Sequence, residues 1–371
     1  MNIKMIAAAV LAAVLLLVLP AVRAHGDELS DIREQVQSEL EQAAGDEVSE
    51  SLEEEGISVS DPESIKNADP KSIFGKLFLL FRESLRQPLR LLARLIGISV
   101  LCAVMRSASG GDGLSAAYER LCIIAVIVMM GDMLSSMFES LKSSVDTVNG
   151  FMISFIPVFS ALTSASGAVN TAQTYTASSI VVCEVSAFIS SCVVMPLLCS
   201  VTAIGVVSAV QPGLRLSGVA GSVKKAVSFI LAAVMMIFTG LMKLQGIMAA
   251  SADSMASKTL RMAATSFIPV IGGSVSDAYL AVKSGMGMIR SAAGVFGIGA
   301  VAVIAARPLL SLLALKLTVF LAKVVNELLG QSETAAFLDS MNSVLSIALA
   351  MLISLCSAFI ISAAIILDKA L

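Results

Sequence analysis

Charge is what this 371-residue chain has least of. Charged residues make up 14% of it and apolar residues 57%, with a mean hydropathy of +0.89. A soluble domain carries about 25% charged residues, so a water-covered globule is excluded. In lipid only helices and closed barrels satisfy the backbone, and long unalternating apolar runs exclude the barrel. Tryptophan is absent and tyrosine occurs three times. An aromatic belt is therefore excluded, and the setting of helix depth falls to arginine and lysine. The single histidine, His25, leaves no Ser-His or Cys-His pair within the body of the chain. No G-x-x-x-x-G-K-[ST] loop occurs, which excludes that mode of nucleotide hydrolysis. The six cysteines lie in apolar stretches without a C-x-x-C spacing, so they read as buried free thiols rather than metal ligands or a disulfide framework. Ser222-Val223-Lys224-Lys225 fits S-x-x-K but sits in a basic loop without its companion motifs. The residues thus imply no catalytic, cofactor-binding or metal-binding set. Gly294, Gly297 and Gly299 read as close helix packing.

What is present has a clear order. Residues 1–24 read as a signal peptide: Lys4, an apolar run from Met5 to Leu19, Pro20, then Val22-Arg23-Ala24 at the cleavage position. Residues 25–71 form an acidic extracytoplasmic segment. Between Asp27 and Asp69 it holds fifteen acidic residues against Arg33 and Lys66, which excludes nucleic acid as its partner. Leu29, Ile32, Val36 and Leu40 fall at helical spacing within it. Residues 72–106 read as an amphipathic helix leading into the first span. Arg82, Arg86, Arg90 and Arg94, spaced by four, form one stripe that suits either a docking face or depth-setting contact with the lipid bilayer.

The remainder reads as an all-α polytopic body with an internal tandem repeat, 120–210 and 226–322, and a C-terminal span in 341–371. Ser154-Phe155-Ile156-Pro157-Val158 recurs as Ser266-Phe267-Ile268-Pro269-Val270, 112 residues on, and Pro196-Leu197-Leu198 recurs as Pro308-Leu309-Leu310 at the same offset. Each repeat carries a span, a short Phe-Ile-Pro-Val element and a long helix broken at proline. Such paired, proline-interrupted elements mark a pathway in transporters, and they equally suit packing between the halves. As a straight helix, 180–210 would reach about 46 Å, beyond the roughly 30 Å hydrocarbon core, so a kink or break at Pro196 is expected. The spacing admits five to nine crossings. Asp132, Glu184, Lys243, Arg307, Lys316 and Lys323 are charges inside apolar stretches, and Glu184 and Arg307, in corresponding helices, form a candidate ion pair. Lys323 and Glu327 read as an ordinary i,i+4 pair. The loop at 211–225, with Arg215, Lys224, Lys225 and no acid, is expected on the cytoplasmic side.

This order of features, with Ser154–Val158, Ser266–Val270 and the runs at Pro196 and Pro308 as its specific carriers, resembles the stage III sporulation protein AE family over nearly the whole chain. The resemblance implies a multi-pass protein of the mother-cell membrane around the engulfed forespore. It implies partners: other membrane subunits of a secretion-like channel complex, a separate ATPase among them. A homo-oligomer is compatible with the sequence, which leaves open whether a pore runs within one chain or between copies. The resemblance implies a conduit that sustains the forespore and its late transcription, with no catalytic residues. The second reading is a self-sufficient permease for a small solute, in which the repeats alternate access. The leader makes a direct prediction: the membrane-extracted protein begins at His25 by N-terminal sequencing, whereas retention of Met1 would make the leader an anchored helix.

Overall fold

The computed structural model describes residues 34–42, 44–45, 48–50, 79–108, 112–211, 217–267 and 272–368. Among these residues the long elements are all helices: α1 Arg86–Ala108, α2 Asp112–Ala165, α3 Val169–Phe188, α4 Met195–Val210, α5 Ser217–Phe267, α6 Gly272–Leu328 and α7 Ser332–Asp368. A π-helical turn, Ile189–Val194, joins α3 to α4, so that Val169–Val210 is one rod. Six helical stretches are long and apolar enough to cross a membrane. The signal peptide and much of the acidic segment lie outside the described residues. Within that segment, residues 34–42 are helical, and Val36 and Leu40 are buried and join the hydrophobic core.

Each helix separates its faces by spacing. In α1 the inward residues are Pro88, Leu91, Leu95 and Ser99, and Arg86, Arg90 and Arg94 point outward. Pro88 sits in the first turn, where its missing N–H costs nothing. In α2 the buried residues Val126, Met130, Leu134, Met137, Leu141, Val145, Val148, Met152, Phe155, Phe159 and Leu162 recur in steps of three and four. That rhythm lays one seam along the helix.

The last helix is the central one. In α7, 56% of the most apolar stretch is buried, against 22–33% in the other five spans. It packs mainly on α6 and α5, then on α4, α2 and α3. Close approach depends on missing side chains. A Cβ on Gly297 of α6 would collide with the Phe155 ring, and one on Gly294 would come within 2.8 Å of Leu367. The reading of these glycines as packing positions thus has a named contact for each.

Two hairpins are closed in the same way. Gly167 after α2 (φ 84°) and Gly330 after α6 (φ 69°) take the left-handed conformation that favours glycine. Ala168 N–H donates to the Thr163 carbonyl and Gly167 N–H to Ser164; Gln331 N–H donates to Asn326 and Gly330 N–H to Glu327. These paired bonds satisfy carbonyls at each helix C-terminus.

The proline-broken helices of the sequence reading are corrected here. Pro157 lies inside α2 and Pro308 inside α6, and both helices continue past them. Pro196 follows the π turn, in which Met195 N–H donates to the Ser190 carbonyl. A proline clashes with the carbonyl four residues back; one wider turn ahead of it absorbs the strain without breaking the rod. The first Phe-Ile-Pro-Val element is therefore not a separate short segment but part of a 54-residue helix. In the second, α5 ends at Phe267 and α6 begins at Gly272; Ile268 to Ile271, and so Pro269, lie outside the described residues, as does the Phe267 side chain.

Gly297→Ala is expected to destabilise the protein by about 1–3 kcal/mol, the usual cost of overpacking. The thermal midpoint in detergent should fall, and Phe155→Leu should recover part of the loss in the double variant.

Candidate functional site

Residues of α1, α2 and α6 line a cavity of about 170 Å³. Its polar lining comes from Gln87, Ser136, Ser140 and Ser311, and Pro308 forms part of its wall. Pro308 has no N–H to donate to the Ile304 carbonyl one turn back, so the α6 backbone lacks one donor at this wall of the cavity. Hydroxyls and an amide of this kind suit several water molecules. No ionisable side chain is among the lining residues of this cavity.

Around the cavity the outer surfaces are charged. Arg82, Arg86, Arg90 and Arg94 are exposed, as are Asp132, Glu139, Lys142 and Asp146 on α2 and Arg307 on α6. Asp132, Glu139 and Asp146 are spaced by seven and therefore share one face of α2. The arginine stripe and the acidic stripe take part in none of the ion pairs among the described residues, which join Lys323 to Asp339 at 2.6 Å and to Glu327 at 3.7 Å.

Above the cavity stands an aromatic column. Phe155 lies 5.6 Å from Phe151, 5.4 Å from Phe159 and 5.4 Å from Phe359, ring centre to ring centre, and Phe159 meets Tyr175 at 5.3 Å. Phe155 is fully buried, whereas Pro157, two residues on, faces outward.

Two polar clusters sit at the bundle's ends. At one, Asp253 of α5 caps the N-terminus of α3, whose own cap residue, Ala168, offers no side-chain bond. The Asp253 carboxylate accepts from Asn170 N–H (2.9 Å), Asn170 Nδ2 (3.0 Å), Thr171 N–H (2.9 Å) and Thr171 Oγ1 (2.7 Å). A carboxylate there also meets the positive end of the helix dipole. Arg290 of α6, only 3% exposed, donates to Ser166 Oγ at 3.3 Å in the adjoining turn. At the other end Arg106 donates to the Gly330 and Leu329 carbonyls at 2.9 and 2.8 Å. Gln331 Nε2 donates to the Ser99 carbonyl at 2.7 Å, and Gln331 Oε1 accepts from Cys122 Sγ at 3.2 Å.

The structure brings Pro308 to the cavity but does not pair Glu184 with Arg307, which corrects that expectation. Both face outward, and their helices are not principal neighbours: α3 packs mainly on α2 and α5, α6 on α7, α2 and α1. Pro196 is also exposed. All six cysteines are free; Cys122, Cys183 and Cys356 are buried and Cys102 is half-buried, but Cys192 and Cys199 are exposed, so the expectation of buried thiols fails at these two. They lie on the outer face of the rod. Asp253 and Arg290, the buried charges, were missed by sequence reasoning because both sit in stretches of small and polar residues that read as connectors. The one available signal was the poor cap at Ala168-Val169, which requires a carboxylate or hydroxyl from elsewhere. Among the described residues no group of three or more His, Cys, Asp or Glu is placed to hold a metal ion.

Six long apolar helices, five of them around a buried central one, define a polytopic α-helical membrane protein. The profile of the stage III sporulation protein AE family matches residues 60–370, and the chain belongs to that family. The stage III sporulation protein AE of Bacillus subtilis (strain 168) is 25% identical over 278 residues, covering 74% of this chain and 69% of that one. No solved structure matches. The protein is thus a sporulation protein of the membrane.

Asp253→Ala removes the four-bond cap of α3 and is expected to cost about 1–2 kcal/mol, the range for lost helix caps. Thermal unfolding in detergent should show it, with the exposed Lys258→Ala as a near-neutral control.

Proposed function

We propose that the protein is a non-enzymatic membrane subunit of a transenvelope, secretion-like complex that links mother cell and forespore and supports late forespore gene expression. Family membership over residues 60–370 carries this reading. The internal architecture supports it against the permease. A self-sufficient permease needs interior ionisable groups free to meet a solute or coupling ion. Here Asp253 is committed to a helix cap, Arg290 to a turn, and Glu184, Arg307 and Asp132 lie on outer faces. Hydrolysis of ATP belongs to a separate subunit in this reading.

The helix count agrees with the charge distribution. If each of six stretches crosses once, an extracytoplasmic N-terminal segment puts residues 211–225 in the cytoplasm, where their lysines and arginine belong. The two repeats then run in the same direction, and the cavity at Pro308 lies part-way across.

Deletion in the native host tests the reading. Engulfment should complete, the forespore should then shrink, and a late forespore-specific reporter should stay silent. Normal spores would overturn it, and solute uptake by the purified protein alone in vesicles would move the assignment to the permease.

A further inference from the structure

We infer that the arginine stripe of α1 and the acidic stripe of α2 are the two halves of one interface, through which copies of this chain assemble side by side. The stripes are Arg82, Arg86, Arg90 and Arg94 on one side and Asp132, Glu139 and Asp146 on the other, every member exposed. None pairs with another charge among the described residues. The four arginines extend over about 18 Å and the three acids over about 21 Å of helix, so the stripes match in length. They are opposite in sign, apart from Lys142, exposed between Glu139 and Asp146, and Glu83, exposed beside Arg82.

Their position decides the occupant. Gln87, inside the arginine stripe, lines the same cavity as Ser136 and Ser140, inside the acidic one. The stripes therefore lie at one height along the bundle. In a ring of membrane proteins the symmetry axis runs along the bilayer normal, and rotation about it leaves every height unchanged. A positive stripe can meet a negative one on the next copy only if both already stand at one level, as these do. The helices also have the right sense: α1 and α2 are antiparallel within a chain, and such a rotation keeps them antiparallel between chains. Different surfaces of the two copies meet, so the contact is of the head-to-tail kind that closes into rings.

Seven exposed charges on neighbouring stretches of α1 and α2 are costly wherever acyl chains reach them and are better met by groups of opposite charge. A contact between copies would cover them in complementary pairs, each arginine offering a forked donor to a carboxylate. It would also place the serine-lined cavity beside the seam between neighbours. The proposal concerns self-association alone and does not depend on what the complex conducts.

The test uses the full-length protein in lipid nanodiscs or mild detergent, with mass measured by light scattering. The wild type should be larger than a monomer. R86E/R90E/R94E and D132K/E139K/D146K should each weaken association about tenfold or more and run as monomers at equal concentration. Mixed together, the two variants should co-assemble, because each supplies the charge the other has lost; recovery also shows that both are folded. The milder pair R90E and E139K should show the same pattern at smaller amplitude. A monomeric wild type at all concentrations would overturn the proposal, as would mixtures that stay monomeric in both pairs. So would loss of binding to anionic vesicles in the arginine variants with assembly unchanged in either set, since lipid would then be the occupant.

Discussion

Helix ends are the places where this protein has most to lose. A chain with so few charges lies in an apolar medium, where each unpaired N–H or C=O costs several kcal/mol. Within a helix the backbone meets that demand by itself. At a terminus it cannot, and the solutions here come largely from remote residues. Asp253 caps α3 from a helix 83 residues away in sequence. Arg106 closes the C-terminus of α6 from α1. Gln331 ties the same turn to Ser99 and Cys122. These contacts fix which helices lie side by side, because a helix that drifted from its neighbour would lose its cap.

The packing between those ends follows from the same economy of polar groups. Without a hydrophobic drive between helices in lipid, association depends on close fit and shared hydrogen bonds. Gly297 admits Phe155, and Gly294 admits Leu367. Ser179 and Ser362 meet at 3.0 Å between α3 and α7, and Lys316 donates to Ser346 at 2.8 Å between α6 and α7. α7 is central because it carries apolar or small residues on nearly every side, with its charges confined to its ends.

Among the described residues the charges and the packing are divided between outer faces and inner seams. The charged belt of α1 and α2 is on the surface, and the inner seam of each helix is closed by aliphatic and aromatic packing. That division suits a protein that acts through assembly.

Much of this was written in the sequence. The helical membrane class followed from charge and hydropathy, since lipid leaves the backbone few alternatives. The outward Arg stripe followed from spacing by four, and the helix around Val36 and Leu40 from its apolar period. Gly294 and Gly297 read correctly as packing positions. The prolines did not read correctly. Sequence shows where a backbone donor is missing, but not whether the helix continues past it, as at Pro157 and Pro308, or passes through a π turn such as Ile189–Val194. The Glu184–Arg307 pair failed because residues of corresponding helices need not be adjacent in space. Asp253 and Arg290 were invisible because a buried charge differs from a surface one only in what packs around it. The sequence alone determined that the chain is helical, membrane-embedded and a member of its family. Only the tertiary structure decided which charges are buried, which helix is central and which termini cap one another, because these depend on contacts between residues that local periodicity does not connect.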